Sequence, residues 1–304
     1  MRKSVLVLLS SYNGERYLEQ QIVSILEQRT EHTLILRIRD DGSTDGSCAL
    51  IERMQEKYPG RIELTRGENI GSNASFFALL DGAGGYDYYA ISDQDDVWLP
   101  DKIQTAIEAL LRAGDSPALY ASTSTLVDEK LNVIGRTRKQ TRELDFYNTI
   151  IQNICPGHTQ VMNAALLALL QPLPDASRIY VYDSWICNMA VLYGKLIFDP
   201  SAHTLYRQHR KNQMGSGSGS LGQLHASGSH ALHGDGQKYR AQIAYFAEKN
   251  QARLAQEQKL AELEAFLSAE AFPARLRYAL RSKLYRQSRL ETAAFRLALI
   301  FGLF

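Results

Sequence analysis

Residues 5–14 read VLVLLSSYNG, five aliphatic residues followed at once by a polar turn that contains a glycine. A continuous run of Val and Leu bounded by turn residues is typical of a strand that is buried on both faces. The segment that follows, from about Tyr17 to Gln28, is predicted to be a helix. A buried strand that leads through a polar turn into a helix is the first unit of an α/β fold.

Strand-and-helix units continue along the first hundred residues. Further strands are predicted at Leu34–Arg39, Ile62–Thr65 and Tyr88–Ser92, with helices at Cys48–Tyr58 and Ser75–Leu80. This alternation predicts an α/β fold built on a mainly parallel, doubly wound sheet. Ligands of such sheets bind at the carboxyl ends of the strands. Polar clusters follow the first, second and fourth strands, so we expect a binding site there.

Composition sets the broad class of the protein. A chain of 304 residues with 45% apolar content can bury a full core and is expected to form one large domain, or one domain with an appendage. The 33 acidic and 34 basic residues nearly cancel, so no overall field favours nucleic acid as a partner. Three widely spaced cysteines are expected to be reduced thiols of a cytoplasmic protein.

The sequence contains no stretch close to the ~20 apolar residues that a membrane-spanning helix needs, so an integral membrane protein is not expected. The opening residues, MRKSVLVLLSS, have a basic start and an apolar run, as a signal peptide does. That run covers only Val5 to Leu9, which is shorter than the apolar region of a signal peptide. A first strand is therefore the preferred interpretation.

Changes in composition divide the chain into three parts. We expect a catalytic domain over residues 1–213, a flexible linker or loop rich in Gly and Ser over 214–236, and a helical region over 237–304. Within the last part, Tyr239 to Phe266 has the composition of one long helix.

The heptapeptide SDQDDVW carries three carboxylates directly after the fourth strand. In an extended chain Asp93 and Asp95 project on one side, and their hard oxygen ligands suit Mg²⁺ or Mn²⁺. A departing nucleoside diphosphate needs such a cation to neutralise its negative charge. The alternative is an acidic turn that caps the helix after Pro100. The triplet alone leaves both interpretations open.

A second acidic turn, DDGSTDGS, follows the second strand with Asp40, Asp41 and Asp45. An aspartate here can accept the imide hydrogen of uracil or thymine, and Gly42 lets a ligand approach the backbone. The alternative is an Asx turn that caps the next helix.

Four motifs in order resemble a known family: SSYNGERYLEQQIVSILEQ, RDDGSTDGS, ENIGSNASF and SDQDDVWLPDKI. They are similar to the motifs of the inverting glycosyltransferases of family 2, which have the GT-A nucleotide-diphospho-sugar transferase fold. DQDDVW and the later YRQH further resemble the bacterial rhamnosyltransferases of polysaccharide biosynthesis, which use dTDP-L-rhamnose. The resemblance implies a GT-A catalytic domain with a helical C-terminal extension.

The resemblance also implies a donor pocket. Ser10 and Asp41 match positions that hold the pyrimidine nucleoside, with Tyr12 and Glu15 in the same pocket. Two further residues, Asn69 and Gly71, match a loop that lines the donor site in the family.

For the metal and diphosphate, the resemblance implies Asp93, Asp95 and Asp96, with Asp95 as the direct ligand of Mn²⁺ or Mg²⁺. His209, in YRQH, is a candidate second ligand, because a neutral imidazole can bind a divalent cation. A solvated basic turn is the alternative for His209. For His158, in CPGHTQVMN, a structural role is preferred.

Asp183, in VYDSWI, corresponds to the catalytic base of the family. The rhamnosyltransferase branch often has His-Asp-Trp here, whereas this chain has Tyr182 before the aspartate and Ser184 before Trp185. The chemistry needs such a base, because an acceptor hydroxyl is a poor nucleophile until it loses its proton. The alternative is a surface carboxylate at the start of a helix.

The region 275–304 is basic and amphipathic. Seven cations, Arg275, Arg277, Arg281, Lys283, Arg286, Arg289 and Arg296, accompany one acid, Glu291, and aliphatic and aromatic residues lie between them. This pattern is typical of helices on an anionic membrane surface, and predicts a peripheral protein at the inner face of the plasma membrane. The alternatives are packing on the catalytic domain and a homodimer contact through these helices.

The sequence therefore predicts metal-dependent transfer of a sugar from a nucleotide-diphosphate donor to a saccharide or lipid-linked saccharide acceptor. L-Rhamnose is the preferred sugar, and a UDP-hexose donor is the alternative. A non-catalytic nucleotide-sugar-binding subunit is a third interpretation. A sugar-1-phosphate nucleotidyltransferase is disfavoured, because its glycine-rich loop is missing from SSYNGERYLE.

Overall fold

The computed structural model describes residues 2–137, 139–209 and 235–304. Its described strands form one mixed sheet in the order β3-β2-β1-β4-β8-β6-β9-β5, with β7 paired to β6. The strands are β1 (Ser4–Ser11), β2 (Thr33–Asp40), β3 (Ile62–Arg66), β4 (Tyr88–Ser92), β5 (Val97–Trp98), β6 (Ala118–Val127), β7 (Val133–Arg136), β8 (Val161–Asn163) and β9 (Lys195–Arg207).

The described helices are α1 (Glu15–Leu26), α2 (Ser47–Lys57), α3 (Ser72–Leu80), α4 (Lys102–Leu111), α5 (Phe146–Thr149), α6 (Ala164–Leu170), α7 (Tyr182–Tyr193), α8 (Asp235–Lys249), α9 (Gln251–Gln256), α10 (Leu260–Ser268), α11 (Phe272–Arg281) and α12 (Arg289–Ile300). Every strand and helix predicted in the first hundred residues is present, with ends that differ by a few residues. The α/β prediction is confirmed.

The sheet brings the ends of its first strands together. β1 pairs in parallel with β2 and with β4, so that Ser11 lies beside Asp40 and Leu9 beside Ser92. The other half of the sheet is mixed, since β8 runs antiparallel to both β4 and β6. The polar turns after β1, β2 and β4 therefore share one edge, as predicted from the alternation of elements.

Two cores cover the two faces of the sheet. Successive side chains of a strand point to opposite faces. Val5, Val7 and Leu9 of β1 accordingly pack under α1, α2 and α4, in one buried cluster. Leu6 and Leu8 point into the other cluster, which α3, α6 and α7 cover.

The C-terminal helices complete the second core. Phe246, Phe266, Leu299 and Phe304 belong to the same buried cluster as Leu6 and Leu8. The helical prediction for this region is confirmed. The prediction of one long helix over 239–266 is wrong. The helix is interrupted after α8 and again near Gln258, whose φ of 56° is left-handed. Most of the predicted linker, 214–234, lies outside the described residues, so the three-part division stays a prediction.

None of the helices that the structure describes is both long enough and apolar enough to cross a membrane.

Candidate active site

Gln94 joins the turn after β1 to the turn after β4. Its side-chain oxygen accepts hydrogen bonds from Ser11 Oγ at 3.1 Å and Tyr12 N at 2.8 Å, and its Nε2 donates to Tyr12 O at 3.0 Å. A Cβ on Gly14 would lie 2.3 Å from the same oxygen, so only glycine leaves room for this side chain. The two turns are thereby fixed side by side.

The acidic turn after β2 is held partly by its own side chains. Asp40 accepts from Ser43 N at 2.9 Å, and Asp45 accepts from Ser47 N at 3.0 Å at the start of α2. Both aspartates therefore stabilise the turn itself, whereas the N-cap residue of α2 is Gly46, which has no side-chain cap. Glu15, predicted for the donor pocket, lies against this turn, and its carboxylate accepts from Gly46 N at 3.0 Å.

Asp41 differs from its neighbours, because it reaches another loop. Its buried carboxylate pairs with the guanidinium of Arg39 and accepts from Ile70 N at 3.0 Å and Gly71 N at 2.9 Å. Three donors of the chain itself therefore use most of its acceptor capacity. Asp41 thus fixes the 69–71 loop beside the end of β2.

Gly42 sets how closely that loop can approach. Its φ is 79°, a left-handed conformation, and a Cβ there would lie 2.9 Å from Asn69 N. Both facts require glycine at this position. Asp41, Asn69 and Gly71, predicted for the donor site, are consequently neighbours.

Ser10 lies near the same loop, at the end of β1. Its Oγ donates to Ser75 Oγ at 2.7 Å, and Ser75 Oγ also accepts from the Arg39 guanidinium at 3.1 Å. Tyr12, in the turn after β1, is half-exposed. The strand ends therefore carry a hydrogen-bonded polar group at Ser10 and an accessible aromatic side chain at Tyr12.

Asp95 and His209 are in direct contact. His209 Nε2 lies 2.7 Å from Asp95 Oδ2, although 114 positions separate the two residues in the chain. This is the distance of a hydrogen bond between the two side chains, and it places both groups within reach of one cation. The two residues predicted to bind metal are thus brought together, and the solvated-turn alternative does not describe His209, whose side chain is mostly buried.

Asp93 and Asp96 form a second group with His158, with one potential ligand atom of each residue within 4.8 Å of the others. The segment bends at residues 94–95, so it is not the extended chain in which Asp93 and Asp95 were expected to project on one side. His158 Nε2 is 2.9 Å from Ser124 Oγ and its Nδ1 is 3.7 Å from Asp93. Among the described residues, Asp96 Oδ2 is buried without a hydrogen-bond partner.

Lys102 lies buried beneath these acids. Its ammonium donates to His158 O and to Thr204 Oγ1, and lies 3.8 Å from the centre of the Trp98 ring. Burial lowers the pKa of Lys102 to about 7. Burial, followed by the charge of Lys102, also lowers the pKa of His158 to about 3, so that imidazole is neutral at pH 7.

The carboxylates of this cluster are costly to ionise. Burial, with the nearby charge of Asp95, raises the pKa of Asp96. The same two causes raise the pKa of Asp93, although solvent screens part of the effect because 37% of that side chain is exposed. The orphaned carboxylate oxygen of Asp96 and the neighbouring acids offer the oxygen ligands that a hard divalent cation prefers, and the neutral imidazole of His158 can add a nitrogen ligand.

The helix-cap alternative for the acidic triplet is wrong. Residues 97–98 form β5, and α4 begins only at Lys102. The N-cap residue of α4 is Asp101, whose carboxylate contacts His203 Nδ1 at 3.2 Å instead of capping the helix.

Asp183 lies in the first turn of α7 and is buried, so the surface-carboxylate alternative is wrong. Its carboxylate accepts from Asn153 Nδ2 at 2.9 Å, Gly157 N at 2.8 Å and Ser184 N at 2.7 Å. Burial raises its pKa against the effect of these hydrogen bonds. Its charge also contributes to the raised pKa of Asp93, after burial and the charge of Asp95.

Sequence reasoning missed Arg207 as a clamp for the acidic turn. Its Nε donates to Asp95 O at 2.8 Å and its backbone N donates to Asp96 Oδ1 at 3.1 Å. The same guanidinium donates to Glu129 O and to Gln20 Oε1, each at 2.7 Å. The motif YRQH contained this residue, but partners so far away in the chain gave no local signal.

The sequence profile described as Glycosyl transferase family 2 matches residues 6–169. Among curated proteins, the dTDP-rhamnosyl transferase RfbG of Shigella flexneri is 30% identical over 220 residues, which cover 68% of this chain and 74% of RfbG.

Solved structures share the fold. S. aureus TarS in complex with UDP matches 100% of this chain and 89% of its own at 13% identity, with a TM-score of 0.60. The mannosyltransferase PcManGT from Pyrobaculum calidifontis, in complex with GDP-Man and Mn²⁺, matches 100% of this chain and 87% of its own at 18% identity, with a TM-score of 0.53. Because the matching profile spans more than half of the chain and the fold agrees with it, the chain belongs to glycosyl transferase family 2 and is a nucleotide-sugar-dependent glycosyltransferase with the GT-A fold.

Proposed function

We infer that this protein is a metal-dependent, inverting rhamnosyltransferase. It moves L-rhamnose from dTDP-L-rhamnose to a lipid-linked or growing cell-surface polysaccharide. The similarity to RfbG, which is named a dTDP-rhamnosyl transferase, supports the choice of donor. The departure from His-Asp-Trp at residues 182–185 keeps a UDP-hexose donor as the alternative.

The observation that carries the metal dependence is the 2.7 Å contact between Asp95 and His209. These two side chains hold Mn²⁺ or Mg²⁺, and Asp93 and Asp96 surround the diphosphate side of the site. The bound cation supplies Lewis-acid stabilisation of the charge that develops on the leaving diphosphate. The Mn²⁺ in the PcManGT complex supports this choice of ion.

The donor nucleoside occupies the pocket at the ends of β1 and β2. Ser10 and Asp41 hold the pyrimidine, Tyr12 covers it and Glu15 supports the wall. The loop at Asn69 and Gly71 lines the rest of the pocket. Support comes from the hydrogen bonds of Asp41 to residues 70 and 71, which fix the loop before any donor binds.

Asp183 is the catalytic base. Its carboxylate takes the proton of the acceptor hydroxyl while that oxygen forms a bond to the anomeric carbon. The bond from this carbon to the diphosphate oxygen breaks on the opposite face, and its electron pair leaves with the diphosphate. Inversion follows from a single displacement. The raised pKa of Asp183 and its three fixed hydrogen bonds support this role.

The helices α11 and α12 dock the enzyme on an anionic membrane, at the inner face of the plasma membrane of a bacterial-type cell. Exposed apolar side chains on both helices support this, among them Leu276, Leu280, Leu290 and Leu297. A homodimer through the same surface is the alternative. The three-part division at 213 and 236 belongs to the same proposal.

A panel of dTDP-, UDP- and GDP-sugars, each with Mn²⁺ or Mg²⁺, tests the proposal by donor hydrolysis. We expect hydrolysis of dTDP-L-rhamnose above all others, and none after chelation of the metal. Hydrolysis confined to a UDP-hexose would replace the rhamnose assignment by the alternative, and full activity with chelator would remove the metal from the mechanism.

A further inference from the structure

A basic cavity of about 380 Å³ lies between α12 and the connection that precedes it, at residues 283–285. Four of its eight lining residues are cations, Arg142, Lys283, Arg289 and Arg296, and none of the eight is acidic. The connection, which joins α11 to α12, forms one wall, and Arg142, from the segment before α5, closes the other. This site is separate from the acidic turns at the strand ends.

The four cations of this cavity lack close carboxylate partners in the described chain. Among the described residues, none of these four cations has a carboxylate within salt-bridge distance. Arg142 donates to Arg286 O at 3.2 Å and Arg296 donates to Ser282 O at 3.0 Å, so the acceptors that the described residues offer these two guanidinium groups are backbone oxygens. Arg296 Nε is buried and, within the described ranges, lacks an acceptor. Four like charges around one cavity repel one another until an anion enters.

The donor geometry suits phosphate. Guanidinium groups pair with phosphate oxygens through two parallel hydrogen bonds, and three of the four cations are arginines. Contacts with neighbouring residues fix two side chains of the cavity wall. Arg142 stacks 3.9 Å from the centre of the Tyr285 ring, and Thr292 Oγ1 accepts a hydrogen bond from Arg286 N at 3.0 Å. A cavity of this volume can accommodate a phosphate or diphosphate group.

The surroundings identify the source of that phosphate. Leu290 and Leu297 are exposed on α12, the helix that lines the cavity, and Leu280 is exposed on α11, which packs against it. A free inorganic anion makes no use of apolar side chains, whereas the headgroup of a lipid brings acyl chains with it. Charge and apolar surface together match an amphiphile.

We propose that this cavity binds the phosphate headgroup of a membrane lipid, with the exposed leucines against the acyl region. The inference deepens the membrane docking proposed above and rests on it. It adds one defined phosphate-binding site, formed by Arg142, Lys283, Arg289 and Arg296, to a general attraction between basic helices and an anionic surface.

Two charge-matched double variants test the proposal. Lys283→Gln/Arg289→Gln changes two exposed residues of the cavity, and Arg277→Gln/Arg281→Gln removes the same charge from exposed residues of α11 outside it. Binding is measured by sedimentation with phosphatidylcholine vesicles that contain phosphatidic acid. Attraction by net charge alone lowers the affinity of both variants equally, by about 30-fold. If the cavity binds phosphate, the vesicle affinity of the first variant alone should fall by a further factor of about ten or more, because its direct hydrogen bonds to phosphate are gone.

Equal losses in the two variants would overturn the proposal and leave docking by charge alone. Failure of the wild type to bind these vesicles would overturn it together with membrane docking. Binding of inorganic pyrophosphate without vesicle binding would assign the cavity to a free anion instead of a lipid. Donor hydrolysis by the same preparations is independent of all three results, so a failure here is distinct from a failure of the rhamnosyltransferase assignment. Thermal unfolding verifies that both variants fold.

Discussion

At the scale of single residues, Asp183 carries the sharpest prediction. Asp183→Asn should lower sugar transfer at least about 100-fold and leave donor affinity unchanged. Asparagine keeps the shape and one acceptor oxygen for Gly157 N, but it cannot take a proton from the acceptor hydroxyl. Transfer kinetics with calorimetric titration of the donor measure both quantities.

The matched control is Asp175→Asn. This aspartate is exposed and accepts a hydrogen bond from Ser177 N at 2.9 Å. Its contacts lie away from the acidic turns, so the same substitution should leave transfer unchanged. If the Asp183 variant transferred sugar at the wild-type rate, another group would have to be the base.

His209 carries the prediction for the metal. His209→Ala should raise the Mn²⁺ concentration for half-maximal donor hydrolysis about tenfold or more, because one of two proposed ligands is lost. Chelation followed by a Mn²⁺ titration measures this, with His32→Ala as a control, since His32 accepts a backbone hydrogen bond from Lys3 at the opposite end of β1. An unchanged titration curve for the His209 variant would leave its contact with Asp95 a purely structural one.

The sequence predicted which residues of the site lie at strand ends, but not how they are held. The family resemblance implied donor-site roles for Asp41 and for the loop at Asn69, and the two are neighbours because they follow adjacent parallel strands. The pairing of Asp41 with Arg39 was missed, as was Gln94, whose contacts with residues 11 and 12 join positions more than 80 apart. Local patterns identify turns, whereas side-chain contacts between distant turns depend on the finished fold.

At the scale of the elements, α8 supports the segment that leads to Asp183. Gln242 Oε1 accepts from Tyr180 N at 2.9 Å and from Val181 N at 2.8 Å. Gln242→Ala removes one buried acceptor from two backbone donors, so we expect a loss of about 2 kcal/mol in the free energy of unfolding. The rate of transfer should also fall at constant donor affinity, because α7 begins directly after this segment. Chemical denaturation and steady-state kinetics measure the two effects.

Gln237→Ala on the same helix is the control. Gln237 is exposed, with a long 3.3 Å hydrogen bond to Gly302 O, and its loss should change neither quantity. A destabilised Gln242 variant with a wild-type transfer rate would mean that α8 supports the fold without positioning Asp183.

The sequence predicted well those elements whose own residues form a clear local pattern. β1 and β4 are short apolar runs between turn residues, and both were found. β8 is only three residues long, and β9 contains Pro200 at a place where the β6–β9 ladder shifts register. Short or interrupted strands take their pairing from the rest of the sheet and leave little periodicity in the sequence.

At the scale of the whole molecule, charge is almost balanced but unevenly distributed. The formal net charge is +1, yet the last thirty residues hold seven cations and one acid. The same helices share a core with the sheet that carries the acidic site. A surface that docks through α11 and α12 would therefore hold the catalytic face at a fixed orientation to the membrane, since the two parts cannot turn independently without opening that core.

The apolar part of this surface gives the last prediction. Leu280 and Leu290 are 74% and 72% exposed, so Leu280→Gln/Leu290→Gln should leave the free energy of unfolding within about 0.5 kcal/mol of the wild type. Burial of two leucines in a bilayer contributes enough that vesicle affinity should fall about tenfold or more. Val133→Gln/Ile134→Gln, on the exposed strand β7, is the matched control and should bind as the wild type does. Sedimentation equilibrium without vesicles tests the competing interpretation, which is a homodimer through the same surface. A dimer that dissociates in the leucine variant, with vesicle binding unchanged, would assign the surface to a second copy of the chain, because only a protein partner would then have been covering it.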